Sequence, residues 1–446
     1  MKKRDIIIVF VVIAFGLIYN AFKSGDIDFK FYHSVPVKTW KLLDKNHPHD
    51  FLREEIQYPR VDKIEIRSTA GDIEVEKTVA ADQETNTPGI KIQPIIRVYH
   101  RNKDQAEEIE KKVKIATLKT PRTGDPDKKI LLRIEVDSEE DFPMQRARVL
   151  FKVMIPETVE LNLRNRYGDI EIDGCGKNIS LDGRHGDISV KHVDSALKIT
   201  HRDGRVALTD VNGNIDLSSR HSRIKINNVS DLKLNCYLAN ADISQVENKT
   251  HIEYAGYSSI TMDDSNECSI EARHTKIKLK NIKNNVQIKN SHQSIIMKNI
   301  NGNILINANN CGINLDQIVS EDVVIKNAYN YVSIDNISSK KLDVLLSNGD
   351  LDVAFSQIKE KINIKNRHSK VTLMYPSSLQ PLFNIQVLYG SLTNRTSGDL
   401  TILKERERVL VNSNYLEGIP EITIDTTYGD ILLENREIKK IEKAFY

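Results

Sequence analysis

Residues 183–190 read GRHGDISV, and Arg184, His185 and Asp187 stand around Gly186. An imidazole beside a carboxylate and a guanidinium is the material of acid–base chemistry. A catalytic set, however, occurs once in a chain. This one recurs. RNRYGDIEI stands at 164–172, THRDGRVAL at 200–208 and SSRHSRIKI at 218–226, each offset by 18 residues. The basic position recurs as Arg166, Arg184, Arg202 and Arg220, and the next position holds Tyr167, His185, Asp203 and His221. Further along, His274 and His292 fill it. These two are the only histidines of the row on adjacent copies, and no carboxylate column accompanies them, so the row makes no metal centre. It reads as a corner row: Asn, Asp and Gly tolerate a left-handed backbone, and rings stack from one copy to the next. The candidate surface stripe is therefore Arg166, Arg184, Arg202, Arg220, Tyr167, His185, His221, His274 and His292. No catalytic, cofactor or metal residue is assigned.

The elements that position this stripe follow from the period. The glycine slot falls at Gly168, Gly186, Gly204, Ser222, Ala241, Ser258, Thr275, Gln293, Cys311, Asn330, Gly349, Ser369, Gly390 and Gly429, with an outlying copy at Gly71. Two and four residues after it the chain is apolar, as at Ile188 and Val190 or Ile224 and Ile226. Five and seven before it the same holds, as at Leu181 and Ile179 or Ile199 and Leu197. Alternation of this kind marks strands with one buried face. One coil cannot bury its own apolar row, so coils must stack. The expected fold is all-β: a single-stranded parallel β-solenoid over 161–433 with coils of about 18 residues and an insertion at 391–420.

The chain has 446 residues and a net charge of +2, which gives no support for nucleic-acid binding. Lys2, Lys3 and Arg4 precede an apolar run over 6–22 with no A-x-A-like cleavage site after it. The run is long enough to span a membrane. Basic residues before it place 1–5 in the cytoplasm and the bulk of the chain outside, in the periplasm or extracellular space. Residues 23–60 read as a stalk, with His47, His49 and Asp50 in a solvated loop. Residues 61–160 read as an α+β cap: one repeat-like hairpin, long strands, and a helix opened by Asp104 and Glu107 as a capping box, with Ala106, Ile109 and Val113 on one face. Residues 434–446 form a tail. Cys175, Cys236 and Cys268 replace aliphatics in inward columns, Cys236 in the column five before the slot, and Cys311 occupies a slot. Their different columns exclude disulfides.

The segments VDKIEIRSTAGDIEVEK, DQAEEIEKKVKI and ARVLFKVMIPETVELNLRNRYGDIEI, with the coils after them, resemble a bacterial family named "putative adhesin", a domain-of-unknown-function group with β-strand repeats. The resemblance covers about 60–433. It implies a right-handed β-solenoid behind a membrane anchor, and no defined catalytic residues. The middle slots, Ala241 to Asn330, depart from the family's glycine pattern. The expected function is a membrane-tethered envelope protein, not an enzyme, whose rod presents a surface to a protein or glycan partner and needs no cofactor. Two alternatives stand beside it: a scaffold or sensor of envelope stress with a membrane partner, and a β-helix enzyme acting on polysaccharide. The latter requires carboxylates or basic residues clustered on neighbouring coils. The outward column Glu171, Ser189, Ala207, Lys225, Ser244, Thr261, Lys278 holds no such cluster.

Overall fold

A computed structural model describes residues 47–58, 61–78, 89–121, 130–138, 146–398, 400–413 and 418–436. The apolar run at 6–22, most of the stalk and residues 437–446 lie outside them. Among the described residues no helix is long and apolar enough to cross a membrane.

The repeats stack as parallel coils. Ile170–Asp173 pairs in register with Ile188–Val193, which pairs with the next coil: Ile170 lies beside Ile188, and Ile188 beside Val206. The first strands stack likewise, with Leu163, Leu181 and Ile199 in one column. All three are buried. The aliphatic columns thus form one continuous core down the rod, which no coil makes alone.

The chain turns its corners with left-handed residues. The residue before the slot has positive φ at Asp203, His221, Tyr257, His274, His292 and Asn310. Asp210, Asn228, Asp264, Asn281 and Asn299 form a second such row at the other corner. Where the residue before the slot carries the left-handed turn, the slot itself accepts a side chain, as at Ser222 and Thr275. This is why slots such as Ser258, Thr275 and Cys311 dispense with glycine, whereas at Asn330 the slot residue itself takes φ +84. At Gly168 the slot takes φ +138 itself, and an added Cβ would stand 2.1 Å from the carbonyl oxygen of Gly71. One assignment shifts. Ala241 pairs with Ile224, two residues after a slot, and Leu238 carries the left-handed turn, so the slot is Ala239. Leu234 then occupies the column five before the slot, and Cys236 lies two residues nearer the corner. All four cysteines are buried and free.

The ends differ most from expectation. Lys63–Ala70 and Ile73–Lys77 are not part of an α+β cap: they pair in parallel with Glu160–Tyr167 and Ile170–Asp173 as a coil of the rod. Ile130–Ser138 and Ala147–Ile155 form a further layer outside them. Antiparallel strands, Ile90–Tyr99 and Val113–Pro121, then cover that outer layer. The one described helix, Lys103–Lys111, is capped by the Asn102 side chain, which accepts from Asp104 N–H at 2.8 Å; Val113 is already in a strand. The HPHD segment is no loop. Pro48–Leu52 pairs antiparallel with Ile90–Tyr99, and Asp50 takes two 2.7 Å bonds from Arg97.

At the far end the coils stack out of chain order. Glu421–Thr427 lies between Lys361–Arg367 on one side and Leu382–Leu388 on the other. The rings of His368, Tyr428 and Tyr389 confirm it, stacked in that order at 5.0 and 4.9 Å. The expected insertion at 391–420 contains a coil strand, Leu392–Arg395, and an antiparallel hairpin, Ile402–Glu405 with Arg408–Asn412, that covers the last coil. The far end thus places one coil between two that precede it in sequence and the near end one between two that follow it, and both hide their strand edges under antiparallel strands, which blunts end-to-end pairing.

Candidate functional site

The corner row is built as a stack. Tyr167 lies on His185 at 5.1 Å between centroids, Tyr257 on His274 at 4.6 Å and His274 on His292 at 4.7 Å. Arg166 sits over the Tyr167 ring at 5.3 Å. Asp203 stands between two histidines, its carboxylate 3.4 Å from His185 Nδ1 and 3.0 Å from His221 Nδ1. Loss of water in the stack and the neighbouring His292 and Arg273 hold the His274 pKa below its usual value. The row divides into separate runs: Asp203 and His221 follow Tyr167 and His185, and Leu238 parts them from Tyr257.

Beside the corner, three before each slot, runs a buried column that the sequence reading passed over. It holds Asn165, Gly183, His201, Ser219, Cys236, Ala255, Ala272, Asn290, Ala308 and Asn327. Its asparagines and its histidine bond the slot carbonyl of the preceding coil, whereas the buried Ser219 hydroxyl has no protein partner among the described residues. Asn165 Nδ2 donates to Gly71 O at 2.6 Å, Asn290 Nδ2 to Thr275 O at 2.8 Å and Asn327 Nδ2 to Cys311 O at 2.8 Å. His201 Nε2 lies 2.8 Å from Gly186 O, and its Nδ1 3.0 Å from Ser222 Oγ. Burial pushes the His201 pKa down, against the pull of the Gly186 carbonyl and of Asp187 and Asp203. The ring is neutral and structural. The signal for this column was the recurrence of Asn at one offset.

Over this column lies a trough of about 810 Å³. Arg184, Arg202 and Arg220 line it on three successive coils, with Asp182, Thr200, Ser218 and Asn235 facing outward in the same lining. Tyr237 and Tyr254 stand at one end. Gly256 makes the end wall possible: a Cβ there would lie 2.7 Å from Tyr254 Oη and 2.9 Å from Tyr237. Of the predicted stripe, the fold therefore brings Arg184, Arg202 and Arg220 together in one trough. Arg166 is held over Tyr167, and His274 and His292 belong to coils beyond Tyr254.

Several outward cations elsewhere are matched to carboxylates one coil away, as in Lys191–Glu171 at 3.0 Å, Lys233–Glu253 at 2.8 Å and Lys249–Glu267 at 3.0 Å. In the trough, Arg202 meets Asp203 at 3.2 Å. Among the described residues no ion pair engages Arg184 or Arg220. A second, smaller trough begins on the far side of Tyr254, and Lys289 crosses its lining to Glu271 at 2.6 Å. Among the described residues no three His, Cys, Asp or Glu side chains cluster to hold a metal.

Residues 257–434 match the family model described as Toastrack DUF4097. That segment is similar to the Toastrack family. The Toastrack match begins at a corner, Tyr257, and ends in the last inserted coil. The coils before Tyr257 continue the same parallel ladder, so the rod extends well beyond the Toastrack segment. No curated protein matches the chain. A solved structure titled "putative cell adhesion protein" from Clostridium sporogenes is 10% identical, over 87% of this chain and 100% of that one, at a TM-score of 0.16.

Proposed function

We propose that the chain is a bacterial envelope protein whose rod works by binding. In this reading the apolar run at 6–22 anchors it in the cell membrane, Lys2, Lys3 and Arg4 keep the N-terminus in the cytoplasm, and the Toastrack rod stands outside. The observation that carries the reading is the trough. The guanidinium groups of Arg184 and Arg220, which no carboxylate engages among the described residues, lie beside an aromatic wall, and this is the kind of surface that recognises a partner. Catalysis is the weaker use of the same residues. Asp182 is the one carboxylate in the lining, whereas glycoside hydrolysis takes two. Both nitrogens of His201 are engaged in the fold.

The test is retention on isolated bacterial envelopes. Full-length chain in detergent should sediment with them, well above a tether peptide of residues 1–46, and release no soluble saccharide. Retention no better than the tether, or release of sugar, would contradict the proposal.

A further inference from the structure

We infer that the Arg184–Arg202–Arg220 trough binds a linear carboxylated polysaccharide laid along the rod axis. This deepens the binding reading above and rests on it. The first argument is pitch. The three arginines occupy one column on successive coils, so their backbones repeat at about 4.8 Å, the spacing of paired strands. An extended acidic peptide presents same-side carboxylates at about 6.6 Å, two residues apart. That matches neither one coil step nor two. In a linear polysaccharide of two-fold screw symmetry same-side carboxylates recur every second ring, close to the two coil steps that separate Arg184 from Arg220.

The second argument is the chemistry of the lining. A guanidinium presents paired N–H donors that match a carboxylate. Arg184 and Arg220 are exposed and carry no ion pair among the described residues. Beside them the outward Thr200 and Ser218 offer hydroxyl groups of the kind that hydrogen-bond sugar hydroxyls. The buried floor at Gly183 and Ser219 adds no bulk that would lift a chain off the surface.

The third argument is the end wall. Tyr237 and Tyr254 keep 36% and 43% of their surface exposed. A tyrosine ring with an apolar face and a polar tip is suited to lie against a sugar. Beyond Tyr254 the second trough pairs its Lys289 with Glu271 and holds one further cation, Arg273, where the first trough aligns three arginines.

The test is calorimetric titration of full-length chain in detergent with polygalacturonate, fully methyl-esterified polygalacturonate and polyglutamate. The expected result is salt-sensitive binding of polygalacturonate and much weaker binding of the other two. Arg184→Gln with Arg220→Gln should weaken it roughly 100-fold, about tenfold per charged hydrogen-bonding group. Lys276→Gln, an exposed cation outside the trough, should leave it unchanged. An unaffected double variant, equal binding of the ester, or polyglutamate binding as tightly would each overturn the inference. If polygalacturonate fails to bind while envelopes still retain the chain, the glycan assignment falls and the binding reading stands.

Discussion

The Asp169 carboxylate accepts a hydrogen bond from the backbone N–H of Asp187, one coil on, at 2.7 Å. Asp72 does the same for Asp169 at 2.9 Å, and Asp187 for Arg205 at 2.8 Å. This is the physical meaning of the recurring Gly-Asp: the glycine lets two coils approach, and the aspartate caps the next coil's N–H. It stacks three carboxylates in a row. Burial, with Asp72 and Asp187 beside it, holds the Asp169 pKa above its usual value, against the opposing hydrogen bond from Asp187. A carboxylate raised in the folded state costs stability once pH rises through its folded pKa. Asp169→Asn keeps an acceptor oxygen and removes the charge. It should melt higher than the wild type at pH 7, and the two should converge below about pH 3, where Asp169 is protonated. A lower melting temperature at pH 7 would show that the row is held by its charge.

His201 carries the opposite linkage. Its folded pKa lies below the unfolded value, so the protein loses stability as pH falls through about 6.5 towards the folded pKa. Asn165, Asn290 and Asn327 already fill the same column and make the same bond to a slot carbonyl. His201→Asn should therefore fold. It should cost about 1 kcal/mol at pH 7.5 through the lost Ser222 contact. Relative to the wild type it should gain as pH falls from 7 to 5. Thermal melts across that range decide it, and a constant offset would mean the imidazole does not titrate with folding.

The inward columns make a sharper stability claim. Ile199 is 1% exposed, between Leu181 and the next coil, so Ile199→Asp buries an unpaired carboxylate. A loss of about 4 kcal/mol or more is expected. His185→Ala removes one partner of the Tyr167 stack at a partly exposed site and should cost at most about 1 kcal/mol. Denaturant melts of both variants check this. Equal losses would mean that inside and outside have been confused.

Columns were legible in the sequence because each coil repeats the same burial problem. Ile179, Leu181, Ile188 and Val190 alternate as any one-faced strand must, and the structure buries all four. The coil order at the far end was not legible. Leu382–Leu388 and Glu421–Thr427 satisfy the same column pattern, and nothing local says which lies on Lys361–Arg367. The slot at Ala239 was misplaced by two residues because a Leu at left-handed φ is an unusual corner residue, while Asn240 beside Ala241 is an ordinary one. Asp187 shows the limit of reading exposure from pattern. Its position faces outward, yet its side chain accepts from both the N–H and the Nε of Arg205 and so helps to join two coils at the corner. The trough was half visible: the arginine stripe stood in the sequence, but Tyr254 closing it depends on the absence of a side chain at Gly256.

The central claim is that successive copies of the repeat stack one per step along a single axis, so that one outward column forms one face. Asp182, Glu271 and Lys326 occupy the same column, five and eight steps along the rod. Pulsed-EPR distances between spin labels at 182 and 271, and at 182 and 326, measure the stacking directly. The account predicts roughly 24 Å and 38 Å between the backbones, a linear growth of about 4.8 Å per coil. Distances that fail to grow with coil number would contradict it.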